Sequence, residues 1–507
     1  MTTVGLVVLP SSAGGRDATT ASLEAQEHRR WRAVLLGAAA APDARVRAGE
    51  GRALEAALAD LADRDGADLL GVVAQGDRLD PRALALLAPA ALAAGWAYAD
   101  EHHDPPGGPA LVVRKPGWSP QQLLSMPYTG RPALLRADLV RDCLAEGPLD
   151  PAAPEWDLAL RAARRTPAAH VPLVLLARPV PPAPVPLEVA ARLVPRASGR
   201  RGTVVPSPAP GVYWLDEPLD DPPPVTAVIP TAGSVREVRG ARRVLVEHCL
   251  DRLLAVTDYP ALDAVVVVDE KTPADVRERL AQRDRVTLVD RSGGFDFADI
   301  CNTGVAATSS PLVLLLNDDV EVLEPSWLRR MVAVALRPGV GVVGARLELE
   351  DGRLQHVGVA HNADALPAHL QWGDDGAADY CGSATAVRES AAVTAACLLT
   401  RRDVYEQVGG LDRRFPVNYN DVDYCMRVLT AGWWVVQCGA ARLVHFESSS
   451  REPGTTPEEQ ERYLDLWSER GCRDPWAQMF RWGGYEPPGL SGDPVPDVLA
   501  LAERYRG

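Results

Sequence analysis

One succession of stretches occurs twice in this chain, and no other feature restricts its fold as much. The apolar run and turn of "TVGLVVLPSSAGG" (3–15) return as "VTAVIPTAG" (225–233), and "WRAVLLGAA" (31–39) returns as "LDAVVVVDE" (262–270). Further on, "ADLLGVVAQGDRLDPRAL" (67–84) returns as "PLVLLLNDDVEVLEPSWL" (311–328), and "APEWDLALRA" (153–162) as "NYNDVDYCMRV" (418–428). Four elements in one order at similar spacing indicate an internal duplication. In each copy, short apolar strands alternate with helical periodicity. That pattern predicts an α/β fold: two domains, each a mostly parallel sheet flanked by helices. The length of 507 residues agrees, because a single hydrophobic core does not grow that large.

Proline-rich segments at 178–186 ("RPVPPAPVP") and 216–224 ("DEPLDDPPP") enclose the helical pattern "LEVAARLV" and the basic loop "RASGRRG". The predicted division is a first domain at 1–185, a Pro-rich linker with a short helix at 186–224, a second domain at 225–451 and a helical extension at 452–507. Charge narrows the partners. With 68 acidic against 53 basic residues the net charge is -15, which argues against nucleic acid and requires a local cation for any anionic ligand. The eight cysteines form no CxxC pair, so neither a zinc knuckle nor a disulfide framework is expected, and a reducing cytoplasm fits. The opening "MTTVGLVVLP" reads as a first strand, and the apolar window Ala83 to Ala99 is interrupted by Pro89 and Gly95, short of a membrane span.

In parallel α/β sheets, ligands bind beyond the carboxyl ends of the strands. In the second copy those ends carry Pro230 and Thr231, then Asp269, then Asn317, Asp318 and Asp319. Adjacent carboxylates repel each other unless something positive lies beside them. The acidic pair therefore suits a hard divalent cation, Mg²⁺ or Mn²⁺, of the kind that bridges substrate phosphates. Thr231 can bond a base or ribose, and Asp269 can accept from an imide N–H or a ribose hydroxyl. Together these groups would bind a nucleoside diphosphate.

From about 225 to 450 the chain resembles glycosyltransferase family 2, inverting enzymes of GT-A fold, and within it the bacterial rhamnosyltransferase-like and cell-envelope polysaccharide branch. The resemblance rests on "VTAVIPT", "FDFADICNTGVAATSSPLVLLLNDDVEVLEPSWL", "RPGVGVVGARLELEDGRLQHVGV", "AVTAACLLTRRDVYEQVGGLD", "NYNDVDYCMRVLTAGW" and "LVHFESSS", all in the family's order. It implies two GT-A-like (nucleotide-diphospho-sugar transferase) domains and a UDP- or dTDP-sugar donor. The implied acceptor is a glycan or lipid-linked glycan, which would bring a cytoplasmic enzyme to the inner face of a membrane. Carried over by position, Asp421 matches the catalytic base, Asp318 faces the ribose, and Asp269 lies on the base side of the nucleotide. Asp319 and His445 match the metal ligands, and Asn302 lies near the nucleotide. The family pattern is broken at Asn317, Asp296, Ala298 and Asn420, which bear on donor choice.

The first copy has lost most of these groups. Gly37 stands opposite Asp269, Gly76 and Asp77 replace the acidic pair, Ala177 replaces the histidine, and Glu155 alone occupies the place of the base. The first domain is therefore expected to be non-catalytic. Two other readings stay open on sequence alone: a sugar-1-phosphate nucleotidyltransferase, of which "PTAGSVREVRGARR" is a faint imitation, and a glycan-binding pseudoenzyme.

Overall fold

The structure is a computed structural model and describes residues 2–11, 15–39, 44–105, 111–362, 364–376, 379–446, 456–471 and 474–476. The chain divides into two compact units, one formed by 1–206, 210–215 and 475–507, the other by 207–209 and 216–474.

Each unit is built on one mixed sheet, and the two sheets have the same strand order. In the second unit the order is Val286–Asp290, Leu262–Val268, Val225–Thr231, Leu312–Leu316, Cys397–Arg401, Val340–Glu348, Trp434–His445 and Val320–Val322. The first four are parallel neighbours. Cys397–Arg401 runs against both of its neighbours, and Val320–Val322 runs against Trp434–His445. In the first unit the order is Val46–Gly49, Trp31–Leu36, Val4–Leu9, Leu69–Ala74, Ala133–Arg136, Trp96–His103, Ala169–Arg178 and Arg78–Leu79, with matching directions. The duplication read from the sequence is thus repeated strand by strand; each sheet has four consecutive parallel strands and one further parallel pair, Val340–Glu348 with Trp434–His445 in the second unit and Trp96–His103 with Ala169–Arg178 in the first. Because those strands are covered on both faces, they read as continuous apolar runs: Leu312, Val313, Leu314, Leu315 and Leu316 are all buried.

Two expectations change. Residues 186–224 are not a free linker over most of their length. The helix Leu187–Ser198 buries Val189, Ala190, Leu193, Val194 and Ala197 in the first unit's core, and Arg192 and Arg196 pair with Asp150 and Asp157. The proline bias around it obscured an ordinary amphipathic period. In addition, Val4 pairs with Trp31 as Val225 pairs with Leu262, which makes Ala38, not Gly37, the counterpart of Asp269. Of the extension expected at 452–507, the helix Pro457–Gly471 packs within the second unit through Tyr463, and everything after 476 lies outside the described residues.

Candidate active site

The strand Leu312–Leu316 delivers Asn317, Asp318 and Asp319 to the carboxyl end of the second unit's sheet. Thr231, the last residue of the neighbouring strand, donates to Asp318 Oδ2 at 2.6 Å. Burial, with the Asp319 carboxylate beside it, pushes Asp318 up to about 7 in spite of that hydrogen bond. Asp269 stands beyond the next strand. The Thr272 hydroxyl joins it to the others, lying 3.2 Å from Thr231 O and 3.4 Å from Asp269 Oδ1. The sequence did not point to Thr272. The groups expected to meet a nucleoside are therefore linked in one row, Asp269, Thr272, Thr231 and Asp318, with Pro230 in the strand beneath.

Asp319 meets His445 because Val320 and His445 are paired residues of adjacent strands. His445 Nε2 lies 3.0 Å from Asp319 Oδ1, and its Nδ1 lies 2.8 Å from Gln355 Oε1. With the glutamine oxygen accepting, the ring proton belongs on Nδ1, so Nε2 presents its lone pair beside a carboxylate oxygen. Two acceptors at 3.0 Å suit a shared cation. Two oxygen or nitrogen ligands at about 2.1 Å and a right angle around an octahedral Mg²⁺ or Mn²⁺ stand about 3 Å apart. Among the described residues no group of three or more side-chain ligands occurs. The pair could therefore hold an ion only with water and diphosphate oxygens completing its shell.

Asp421 lies in the first turn of the helix Asn420–Thr430, where the dipole favours a carboxylate. Its Oδ2 accepts from Ala395 N at 2.9 Å and its Oδ1 from Val422 N at 2.8 Å. The short segment 394–396 ties the site together. Thr394 N donates to His356 Nε2, Ala395 N to Asp421, and Ala396 O accepts from Asn317 N. Burial drives His356 well below the usual histidine range, so it serves as a neutral prop for this segment. Arg427 is engaged by Asp423 and the Val408 carbonyl.

Asn302 is held by backbone: its Nδ2 donates to Leu411 O, and its Oδ1 accepts from Leu411 N and from the Tyr405 hydroxyl. The amide clamps a turn, and of its groups one Nδ2 hydrogen is left over.

Sequence reasoning also missed what holds the loop that leads into Asp421. Glu459, on the helix Pro457–Gly471, accepts at Oε1 from Val417 N and Asn418 N, both at 3.0 Å, and at Oε2 from Asn418 Nδ2 at 2.9 Å. Tyr463 stacks on Tyr419 with ring centroids 4.9 Å apart, and Trp467 Nε1 donates to Asp423. The signal was present as "TPEE", a capping-box pattern with Thr456 and Glu459 in contact. It marks a helix start but not the distant loop that the carboxylate reaches. Glu459→Ala would strip two loop amides of their acceptor just ahead of Asp421. The turnover number is expected to fall roughly 10–100-fold through misplacement of the base. Nucleotide affinity should stay unchanged and Glu459→Gln should restore most of the rate; loss of nucleotide binding in the alanine variant would show a role beyond positioning.

The first unit uses the equivalent positions differently. Arg78 pairs with Ala177 as Val320 pairs with His445, so Asp77 corresponds to Asp319 and Ala177 to the histidine. Glu155 and Asp421 are both second residues of their helices. Between the two carboxylates lies Arg131, its Nη1 2.5 Å from Asp77 and its Nε 3.0 Å from Glu155. Arg136 is matched to Arg401 by strand register, which places Arg131 at the counterpart of Ala396. A fixed guanidinium in one copy stands where the other carries a methyl group.

Comparison with known proteins gives a consistent set. Residues 222–482 match the family described as "Glycosyltransferase like family 2". An uncharacterized protein, y4gI, of Sinorhizobium fredii is 32% identical over 414 residues, covering 76% of this chain and 45% of that protein. The O-antigen biosynthesis protein RfbC of Myxococcus xanthus is 31% identical over 431 residues, covering 81% of this chain and 33% of that protein. The chain thus spans half or less of the length of these relatives. Among solved structures, GalNAc-T7 with UDP, GalNAc and Mn²⁺ aligns at 12% identity and a TM-score of 0.41, over 58% of this chain and 55% of that one.

Proposed function

The chain belongs to glycosyltransferase like family 2, and from that premise we propose that its second unit transfers a sugar, with inversion, from a nucleoside-diphosphate donor to a hydroxyl of a glycan or glycolipid. The observation that carries this reading is the segment 394–396, which bonds both Asp421 and the Asn317 backbone and so sets a base beside the acidic pair. Asp421 takes the proton from the acceptor hydroxyl as that oxygen attacks the anomeric carbon. The bond from that carbon to the diphosphate oxygen breaks, and the nucleoside diphosphate leaves. A divalent ion bound by Asp319 and His445 would supply positive charge for the leaving diphosphate. Asp269, Thr231 and Asp318 orient the nucleoside, and no second carboxylate nucleophile is needed.

The Myxococcus xanthus relative, an O-antigen biosynthesis protein, supports a place in envelope polysaccharide assembly. No helix among the described residues is long and apolar enough to cross a membrane; a lipid-linked acceptor would bring the enzyme to one. A panel of UDP-, dTDP- and GDP-sugars with Mn²⁺, read by thermal shift, tests the reading, because a ligand of the native state raises its stability by mass action. The donor that raises the midpoint should also be consumed in a transfer assay. If none raises it, the reading falls.

The first unit is proposed to be non-catalytic, because Arg131 ties up both of its remaining carboxylates from within. Glu155→Gln and Asp77→Asn should leave the turnover number within a small factor while lowering the thermal midpoint, since each deprives the Arg131 guanidinium of a partner. A large loss of turnover with the fold intact would reveal a live site.

A further inference from the structure

Asp421 is gripped from two sides, and both grips lead back to one hairpin. The strands Val359–His361 and Pro367–His369 pair Val359 with His369, Ala360 with Ala368 and His361 with Pro367. Cross-strand partners share a face, and so do residues two apart. His361 and His369 therefore lie on one face with Val359, which is buried in the second unit's core.

His361 reaches the base through the helix Pro457–Gly471. Its backbone N–H and its Nδ1 meet Asp474 Oδ2 at 3.1 and 3.0 Å, and its Nε2 lies 2.7 Å from the Tyr463 hydroxyl. With the carboxylate accepting at Nδ1, the ring proton belongs there, and Nε2 accepts from the tyrosine. The end of the helix is pressed against this ring: a Cβ at Gly471 would lie 2.8 Å from His361 Cδ2. Tyr463 stacks in turn on Tyr419, two residues before Asp421. Tyr419 has φ 60°, a left-handed conformation that a residue with a side chain keeps only where its surroundings impose it. The ring stack, fixed by His361, supplies that constraint.

His369 reaches the base from the other side. Thr394 N donates to His356 Nε2, so the proton of this neutral ring is on Nδ1, which donates to His369 Nδ1 at 2.9 Å. His369 is exposed, yet it fixes the tautomer of a histidine that is only 1% exposed. With the tautomer reversed, the His356 Nε2 proton would face the Thr394 N–H, two donors head to head. The next amide along, Ala395 N, is the one that holds Asp421. We propose that His361 and His369 are positioning residues for Asp421, acting through Tyr463 and Tyr419 on one side and through His356 and Thr394 on the other. The seating of one hairpin then sets the turnover number. This deepens the transfer reading and rests on it for the role of Asp421.

The test uses the full chain and two variants. His369→Ala changes an exposed side chain, and Tyr463→Phe keeps the ring stack while losing the bond to His361. Ala368→Ser, on the opposite face of the hairpin, is the control. Backbone hydrogen exchange read by mass spectrometry should speed up at 394–396 in His369→Ala and at 417–423 in Tyr463→Phe, and nowhere in the control. UDP binding with Mn²⁺ should stay as in the wild type, while the turnover number falls roughly tenfold in each variant through misplacement of the base. Added to Asp421→Asn, either substitution should cost nothing further, because the group it positions no longer acts. Faster exchange throughout the second unit, wild-type turnover in both variants, or a further tenfold loss on top of Asp421→Asn would overturn the proposal. Near wild-type turnover in Asp421→Asn itself would sink the transfer reading and this role with it. The exchange data need no donor, so they separate that outcome from a failure of the hairpin alone.

Discussion

Replacing Asp421 with asparagine is expected to lower sugar transfer by about 10²–10⁴-fold, the usual contribution of a general base, while nucleoside diphosphate binds as in the wild type. The carboxylate is held at both oxygens, by Ala395 N and Val422 N, in the first turn of a helix whose dipole favours its charge. An amide has the same outline but cannot take the acceptor's proton. The defect should therefore fall on the turnover number, with donor affinity as the internal check that the site is still assembled. Turnover near the wild-type rate would remove Asp421 from the chemistry and leave it as a helix-terminal carboxylate.

The second large effect concerns the metal. UDP or dTDP should bind tightly with Mn²⁺ or Mg²⁺ and very weakly in chelator. Without an ion, the diphosphate would face Asp319 and a second carboxyl, Asp318, already pushed up to about 7 by burial and by Asp319 itself. Asp319→Ala should abolish the metal dependence together with transfer. His445→Ala should weaken it less, because water can replace one ligand of a hard cation, although Gln355 and Asn317 would also lose the ring they orient. Titration calorimetry with and without Mn²⁺ decides the matter; equal affinity in both would sink the metal site and the mechanism with it.

What was legible in the sequence is what lies along one strand or one turn. "LVLLLNDD" declares a buried strand and its polar end in eight letters, and the repetition of such units announced two sheets whose strand orders agree. Asp318 and Asp319 stand out as the polar end of a buried strand, whereas Asp421 and His445 were singled out through the family resemblance. What stayed hidden depends on partners far apart in the chain. Asn302 was placed near the nucleotide, but its amide is committed to Leu411, 109 positions away. Glu459 holds a loop 41 and 42 positions upstream, and Arg131 reaches Asp77 across 54. The helix Leu187–Ser198 was read from its periodicity, but the prolines on either side assigned it to a linker and not to the first unit's core.

The pairing of Val320 with His445 also fixes an order of events as the chain folds. Asn317 and His445 are 128 positions apart. The ligand pair cannot exist until the long closing strand, Trp434–His445, has been laid against the short one, Val320–Val322, and the entropy of closing that loop has been overcome. During synthesis the acidic pair is made well before the imidazole that completes it. On the proposed function, nucleotide and ion would act after that closure, as a clasp that joins two distant parts of one sheet. On the proposed function their binding free energy would add chiefly to the finished unit, and a chain stopped short of His445 should gain less from them than the whole one.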